Sequence, residues 1–581
     1  MRDWSVFPLA DREGDLVKRG RKDTAMANKR EAGGRETAES MAKRQREISV
    51  SEFFLKNRHL LGFDSPRKAI LTTVKEAVDN SLDACEEAGI LPEVSVVLEQ
   101  TGEGRWRVSV QDNGPGIVKA QVPKVFAKLL YGSKFHRLRM SRGQQGIGIS
   151  AAGMHGQLTT GLPTEVRSRT AHGEQAHRTK VQIDTRANKP VVVSSGQDDW
   201  RPEFPEEYPG GGAVTADHGT RVSIEMAAQY AKGRLSVDEY LKECAVANPH
   251  LRLHFRVDAL RKGEGGELEK VTGAWQTFER GTREMPPPVR AIQPHPHGVE
   301  LGMLMQMMKE SGARTLKGML SEDFSRVSAK SAEEICARAG LEPGADPRKV
   351  ANGEAERLYK AIQETKLMRP PLDCLAPIGE EQLLAGLKKE YAADFYTAVT
   401  RPPTVYRGNP FQVEVAVAWA KPGQNEGLPA EDPVKVLRFA NRVPLLYMSG
   451  ACASTEAMEG VNWKAYGMAQ PKGGLPIGPA VFLLHMASVW VPFTSESKEA
   501  IAHYPEIIRE FTFALQECGR RLGVHLSRRR REAEAGKRRS YIEKYIPHLA
   551  LGLQEILGFG DGEKAEVEEE LRGKLERQRE E

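Results

Sequence analysis

The chain is poor in several features that would have narrowed its function at once. Its 581 residues include six cysteines, Cys85, Cys244, Cys336, Cys374, Cys452 and Cys518, and no two of them stand at C-x-x-C spacing. That scatter argues against a disulfide framework or a zinc site and reads as buried free thiols in a reducing cytosol. His295 and His297 lie in a proline-rich stretch without matching cysteines, so no metal role is read for them. Long hydrophobic runs are missing too. The most apolar stretch, 480–491, falls short of the ~20 residues of a membrane span and is interrupted by His485, so it reads as a buried strand. The first fifty residues are dense in both charges, unlike a signal peptide. No excess of one charge exists either: Lys+Arg 84 against Asp+Glu 79 leaves a net +5, so any nucleic-acid contact must come from local patches. A GxxxxGK[ST] string is absent, which excludes a P-loop. These absences leave a cytoplasmic protein without a membrane partner.

What is present is an ordinary globular balance, with 40% hydrophobic and 28% charged residues. The length suggests roughly three to five domains. Residues 1–40 are polar and aperiodic and read as disordered or as a non-native extension. Patterning begins with SEFFLKNRHLLGF, where Ser51 is a candidate helix cap. Ile70, Val74, Ala77, Val78, Leu82 and Cys85 recur at helical steps, and Gly89 and Pro92 close that helix. Two alternating runs follow, Val94-Val96-Leu98 and Trp106-Val108-Val110, separated by TGEG, which predicts an antiparallel hairpin. A helix followed by antiparallel strands argues for a two-layer α/β sandwich rather than a doubly wound parallel sheet. MPPPVRAIQPHPHG (285–298) is a linker. Short helices are expected near 299–310, 313–322, 328–339 and 353–367, ending at the proline cluster 369–377. Mixed structure returns with the alternating strand 411–419, further strands at 434–447 and 480–493, and a long helix from Tyr504 to about Arg531. The tail, 560–581, reads as a charged, solvated helix.

Three motifs carry chemistry. In the first helix Glu76, Asn80 and Asp83 stand at i, i+4 and i+7, one stripe on which a carboxylate can activate water and a carboxamide can ligate Mg²⁺. After the hairpin comes DNGPGI (112–117), where Asp112 can accept from an exocyclic amine and Gly114 and Gly116 let backbone approach a flat ring. GQQGIGIS (143–150) then leads into a helix, a cradle of N–H groups suited to phosphate. Taken singly, each has an ordinary alternative: a solvated helix face, a common Asp-Asn-Gly turn, or the letters of a dinucleotide fingerprint, which fails here because charged FHRLRMSR precedes it instead of an apolar strand.

Their order resembles the GHKL ATPases, the superfamily of gyrase, MutL, the heat-shock chaperone ATPase domain and histidine kinases. Thr220 in HGTRVSIEM resembles the fourth motif of that superfamily. The similarity narrows to topoisomerase VI B subunits in SEFFLKNRHLLGFDSPRKAILTTVKEAVDNSLDA, LLYGSKF, RGQQGIGISAAG, PHPHGVEL, RFANRVPLLY, WKAYG and VPFTSESKEAIA, across roughly 45–555. The resemblance implies an α+β multidomain chain: a GHKL (Bergerat) domain at 41–285, an all-helical helix-two-turns-helix module at 286–372, an α/β transducer at 373–540 with a long C-terminal helix, and a docking segment with a charged tail at 541–581.

It also implies roles. Glu76 would be the general base, and Asn80 would hold Mg²⁺ and phosphate oxygens. Asp112 would read adenine, with Gly114, Gly116 and Thr220 beside it. Ser133, Lys134, Gly143, Gln144, Gln145, Gly146, Ile147, Gly148, Ile149 and Ser150 would form a lid over ATP. Lys498 would reach the γ-phosphate, although Glu496 and Ser497 precede it where the family has a small residue and a glycine. ATP would dimerise two B subunits. An A subunit, in a heterotetramer of two A and two B, would cut double-stranded DNA, and the complex would be nucleoid-associated. DNA contact is expected from the helical module, from Arg528–Arg531, which equally fits a solvated helix end, and from WKAYG with Lys464, which equally fits core. The alternatives are a non-hydrolysing interaction subunit of a DNA-break complex and another GHKL ATPase of the mismatch-repair or chaperone kind.

Overall fold

The computed structural model describes residues 56–577 apart from 133–137, 144–145, 171–174, 206–212, 263–266, 421–427, 496 and 559, together with 38, 41–42, 45, 48–49 and 52–53. Ser51, Ser133, Lys134, Gln144, Gln145 and Glu496 therefore lie outside the described residues, as does nearly all of the 1–40 extension.

Helix α1 (Pro66–Glu87) starts at Ser65, whose hydroxyl accepts from the Lys68 N–H, with Pro66 at the first helical position. Its stripe of Ile70, Val74, Val78 and Leu82 is buried. Strands β1 (Glu93–Gly102) and β2 (Arg105–Asp112) form the expected hairpin. Then come α2 (Val122–Ala127), α3 (Gly148–Thr160), β3 (Thr164–Arg169), β4 (Ala176–Asp184), β5 (Lys189–Asp198), β6 (Glu203–Pro205), β7 (Ala213–Thr215) and β8 (Gly219–Ala227). Helix α4 (Val237–Ala247), β9 (Arg252–Lys262), β10 (Leu268–Val271) and β11 (Gln276–Phe278) complete this part. Nine strands make one sheet in the order β10-β9-β1-β2-β8-β3-β4-β5, with β11 beside β9. Only the β1–β9 pairing is parallel. Helices α1, α3 and α4 share a core with it, a two-layer sandwich.

Four helices follow, α5 (Leu301–Glu310), α6 (Leu316–Glu322), α7 (Ala329–Ala339) and α8 (Asn352–Glu364), around a core of Leu304, Leu316, Ile335 and Leu358. Thr315 and Ser328 cap α6 and α7, and Gly340 closes α7 in the left-handed conformation. His295 and His297 bond backbone carbonyls of this module, at Met368 and at Ile362 and Thr365.

The remaining elements are α9 (Glu380–Glu390), β12 (Phe395–Thr400), β13 (Thr404–Tyr406), β14 (Asn409–Trp419), β15 (Lys435–Ala440), β16 (Val443–Pro444), α10 (Ala453–Gly460), β17 (Ala480–Ser488), α11 (Pro505–Leu557) and α12 (Asp561–Arg577). Six strands order as β12-β14-β17-β15-β16, with β13 beside β14. One face packs on α10 and α11. The other packs on α9 and on Val246 and Ala247 of α4, which joins this sheet to the first domain. Residues 49–581 form one body. All six cysteines are buried and free. Among the described residues no helix is long and apolar enough to cross a membrane.

Three sequence expectations need correction. The run 434–447 is not one strand but β15 and β16 joined at Asn441 and Arg442, both left-handed at φ 48° and 68°. A two-residue hairpin of that geometry usually advertises itself with glycine, and this one does not. The run 480–493 leaves the sheet at Ser488, whose hydroxyl bonds the Pro410 and Trp490 carbonyls and accepts from the Trp490 N–H. The long helix continues to Leu557, 53 residues. Its continuous buried stripe ends at Leu522, with Ile546 and Ala550 buried again only near the far end, but the charged sequence between is rich in good helix formers.

Candidate active site

Helix α1, the β2 exit, the start of α3 and the loop before α11 enclose a cleft of about 610 Å³. Glu76, Asn80, Asp112, Gly116, Gly143, Gly146, Ile147, Gly148, Ile149, Thr220 and Lys498 all line it. Glu76 and Lys498, far apart in the chain, thus share one wall. Ser133, Lys134, Gln144 and Gln145 are outside the described residues. Ser150 is buried away from the cleft, its hydroxyl donating to the carbonyls of Val125 and Lys128.

At one end sits Asp112. Its Oδ1 accepts from the N–H groups of Gly114 (2.9 Å) and Thr220 (3.1 Å), and its Oδ2 accepts from the Ser81 hydroxyl (2.8 Å). Burial pushes this carboxyl up to about 6, against the pull of those three donors. Gly116 has φ +74°, and a Cβ there would collide with the Arg169 carbonyl, so the turn admits only glycine. Ser168 supports the turn by accepting from the Ile117 N–H and bonding the Thr220 hydroxyl.

At the other end stands Glu76. Gly148 opens α3 directly against it, close enough that a Cβ would strike the carboxylate. The free N–H groups of a helix start therefore face a cleft lined by carboxylates and carboxamide, an arrangement that suits an anion only when something neutralises Glu76. Lys498 does so. Its ammonium lies 3.7 Å from Glu76 Oε1 and donates to the Arg142 carbonyl at 3.2 Å. Burial works against that charge, but Glu76, Asp79 and Asp83 outweigh it and hold the ammonium protonated.

Several side chains at this end carried no local signal in the sequence. Arg142, just before the glycine-rich run, is buried and bonds Asp83, both oxygens of Glu86, and Asn248. From the other sheet, Asn441 donates to the Ser141 carbonyl at 3.0 Å. Lys75, one residue before Glu76, donates to the Ser497 carbonyl at 3.1 Å. Ser81 had a signal in hindsight, since it follows Asn80 on the turn facing Asp112.

Comparison with known proteins decides the family. Residues 66–190 match the profile "Histidine kinase-, DNA gyrase B-, and HSP90-like ATPase", and 370–538 match "Topoisomerase VI B subunit, transducer". The B subunit of type 2 DNA topoisomerase 6 from Methanosarcina barkeri is 47% identical over 522 residues, 90% of this chain and 79% of that protein. That of Archaeoglobus fulgidus is 45% identical over 518 residues, 89% and 80%. The chain belongs to the topoisomerase VI B-subunit family. It is thus a type II DNA topoisomerase B subunit with an ATPase domain of the gyrase B and HSP90 kind. The B-subunit of DNA gyrase from Myxococcus xanthus aligns at TM-score 0.37 and 14% identity over 81% of this topoisomerase VI B-family chain and 95% of its own, too loosely to compare sites.

Proposed function

We propose that the cleft binds ATP and that its hydrolysis gates the passage of one DNA duplex through a break made by a separate A subunit. The observation that carries this reading is the meeting of Glu76 and Lys498, from two different domains, at the end of the cleft opposite Asp112. Asp112 accepts from the adenine amine, and Gly114, Gly116 and Thr220 shape the turn around the ring. Glu76 takes a proton from the attacking water as general base. Lys498 presents a point charge to the γ-phosphate, which frees Glu76 from its ion pair. Backbone from Gly143 to Ile149, with Ser133, Lys134, Gln144 and Gln145, covers the triphosphate.

Asn80 lines the cleft, and its carboxamide oxygen, together with phosphate oxygens and water, is a donor set that fits Mg²⁺. When bound, the ion neutralises charge on the phosphates. Nucleotide binding pairs two B subunits, and hydrolysis lets them part. Lys498 stands in the loop between β17 and α11, seven residues before that helix begins, so the state of the phosphate is passed directly into it. Exposed Ile542, Tyr545, Leu549, Leu553 and Ile556 recur at three- and four-residue steps and form the A-subunit docking face in a heterotetramer of two A and two B subunits. Lys464 is exposed beside buried Trp463, and Arg530 reaches Gly467 of the same turn, so these two form a basic patch for duplex phosphates, while Arg528 and Arg529 pair with Glu532 and Asp394. The complex works in the cytoplasm on the nucleoid.

The test is ATP turnover by the purified chain beside Glu76→Ala, followed by relaxation of supercoiled DNA with and without an A-type subunit. Turnover lost in the variant, and relaxation only with both subunits, support the reading. Equal turnover in chain and variant contradicts it.

A further inference from the structure

Lys498 occupies an unfavourable backbone conformation. Its φ is +53°, a left-handed value that L-residues other than glycine, asparagine and aspartate rarely adopt. Such a residue persists only when its surroundings over-determine it. Three contacts do so here. The Lys498 N–H closes the turn on the Ser495 carbonyl at 3.1 Å. The next residue, Glu499, is buried and pairs with Lys68 of α1 at 2.5 Å. Between them, the half-buried Lys75 ammonium donates to the carbonyls of Ser497 at 3.1 Å and Lys498 at 3.5 Å.

The placement of Lys75 is specific. It directly precedes Glu76 on α1, so the two side chains leave the helix about 100° apart. One grips the backbone of the loop from outside the cleft. The other receives the ammonium of that same loop from inside. The catalytic-helix register therefore fixes both ends of one lever. The arrangement costs something, because two ammonium groups are brought together: burial, and then the Lys498 charge, pull the Lys75 pKa down. A residue serving only to fill the space would not need that charge.

We propose that Lys75 is a positioning residue for hydrolysis, which holds the Ser497–Lys498 turn so that the Lys498 ammonium reaches the Glu76 end of the cleft. It does not touch substrate. It acts through Lys498, and the proposal rests on the ATPase reading above for its kinetic consequence only.

Lys75→Met keeps the length of the side chain and removes the donor. In the full chain we expect kcat for ATP to fall about tenfold or more while KM changes by less than about threefold, the pattern of an interaction made at the chemical step. The double variant Lys75→Met/Lys498→Met should be no worse than Lys498→Met alone, because both act through one contact. Lys75→Arg, which still donates, should recover part of the rate. A second readout needs no turnover: acetylation of Lys498 in the nucleotide-free chain, followed by peptide mass spectrometry, should be faster in Lys75→Met. Additive losses in the double variant, unchanged Lys498 labelling, or general labelling with a collapsed melting temperature would each overturn the proposal. Faster Lys498 labelling in a chain whose wild type hydrolyses no ATP would instead count against the ATPase reading and leave the positioning intact.

Discussion

At the scale of single residues, the cleft sets two groups under opposite demands. Asp112 is a buried carboxyl with its pKa raised from 3.8 to about 6. A carboxyl raised in the folded state favours folding while protonated, below about 4, and loses that contribution as pH climbs through 6. The ionised form that suits an adenine amine is thus the one the fold tolerates less. Its neighbours are the neutral donors of Ser81, Gly114 and Thr220, with His218 bonded to the Gly114 carbonyl and the buried Cys85 thiol nearby. We expect KM for ATP to rise as pH falls below about 6. Asp112→Asn should remove both that dependence and the fall in thermal stability between pH 4 and 6, read by ATPase assays and melting curves. Gly148 sets the other demand. Gly148→Ala must push the Glu76 carboxylate aside, since a flexible side chain yields before helix backbone does. A displacement of that size costs roughly a hundredfold in kcat, whereas the melting temperature should hardly move. Unchanged turnover in Gly148→Ala would show that Glu76 is not needed where it stands.

At the scale of elements, the transducer sheet is pinned by one buried acid. Glu414 of β14 accepts from the N–H groups of Ile378 and Gly379, the Thr400 hydroxyl and His485 Nδ1. His485 Nε2 accepts in turn from the Arg442 N–H, at the turn that carries Asn441 to the first domain. Glu414→Gln would set an amide NH₂ against those donors, and we expect a loss of about 3 kcal/mol in unfolding free energy by denaturant titration. The histidine that interrupted the apolar run in the sequence is thus half of this pair. Much of the fold was legible because the informative patterns were local. The 70–85 periodicity, the hairpin alternation and the short helical segments between 299 and 367 all predict the elements found. The Asn441–Arg442 turn was not legible, because its left-handed pair lacks glycine and is stabilised by contacts from Ser141 and Ser488, far away in sequence. The continuation of α11 past Arg531 was not legible because its buried stripe breaks off at Leu522 and resumes only at Ile546 and Ala550, leaving a charged, exposed stretch between. Around the cleft, Glu76, Asn80 and Asp112 stood in recognisable spacing. Lys75 and Arg142 did not, because each bonds partners that only the folded chain brings near.

At the scale of the whole molecule, α11 is the element that leaves the body. At 1.5 Å per residue its 53 residues span about 80 Å. Only its first third is buried in the transducer core, from Ile507 to Leu522. Its far end folds against α12, where Ile546 and Ala550 are buried, and leaves Ile542, Tyr545, Leu549 and Ile556 exposed. Deleting residues 541–581 should therefore leave ATP turnover near the wild-type rate and abolish relaxation by the two-subunit complex. Relaxation that survives the deletion would move the docking face elsewhere. The proposed basic patch of Lys464 and Arg530 belongs to the same scale. Replacing Lys464 and Arg530 with alanine should weaken duplex binding regardless of sequence and flatten its salt dependence by about two phosphate contacts.

The most direct measurement is a structure of the full chain with Mg²⁺ and a non-hydrolysable ATP analogue. We expect the adenine amine on Asp112, the terminal phosphate between Gly148 and Lys498, and Lys498 moved off Glu76 onto that phosphate. A nucleotide bound in the opposite direction, or a Lys498 still paired with Glu76 and out of reach of phosphate, would contradict the account.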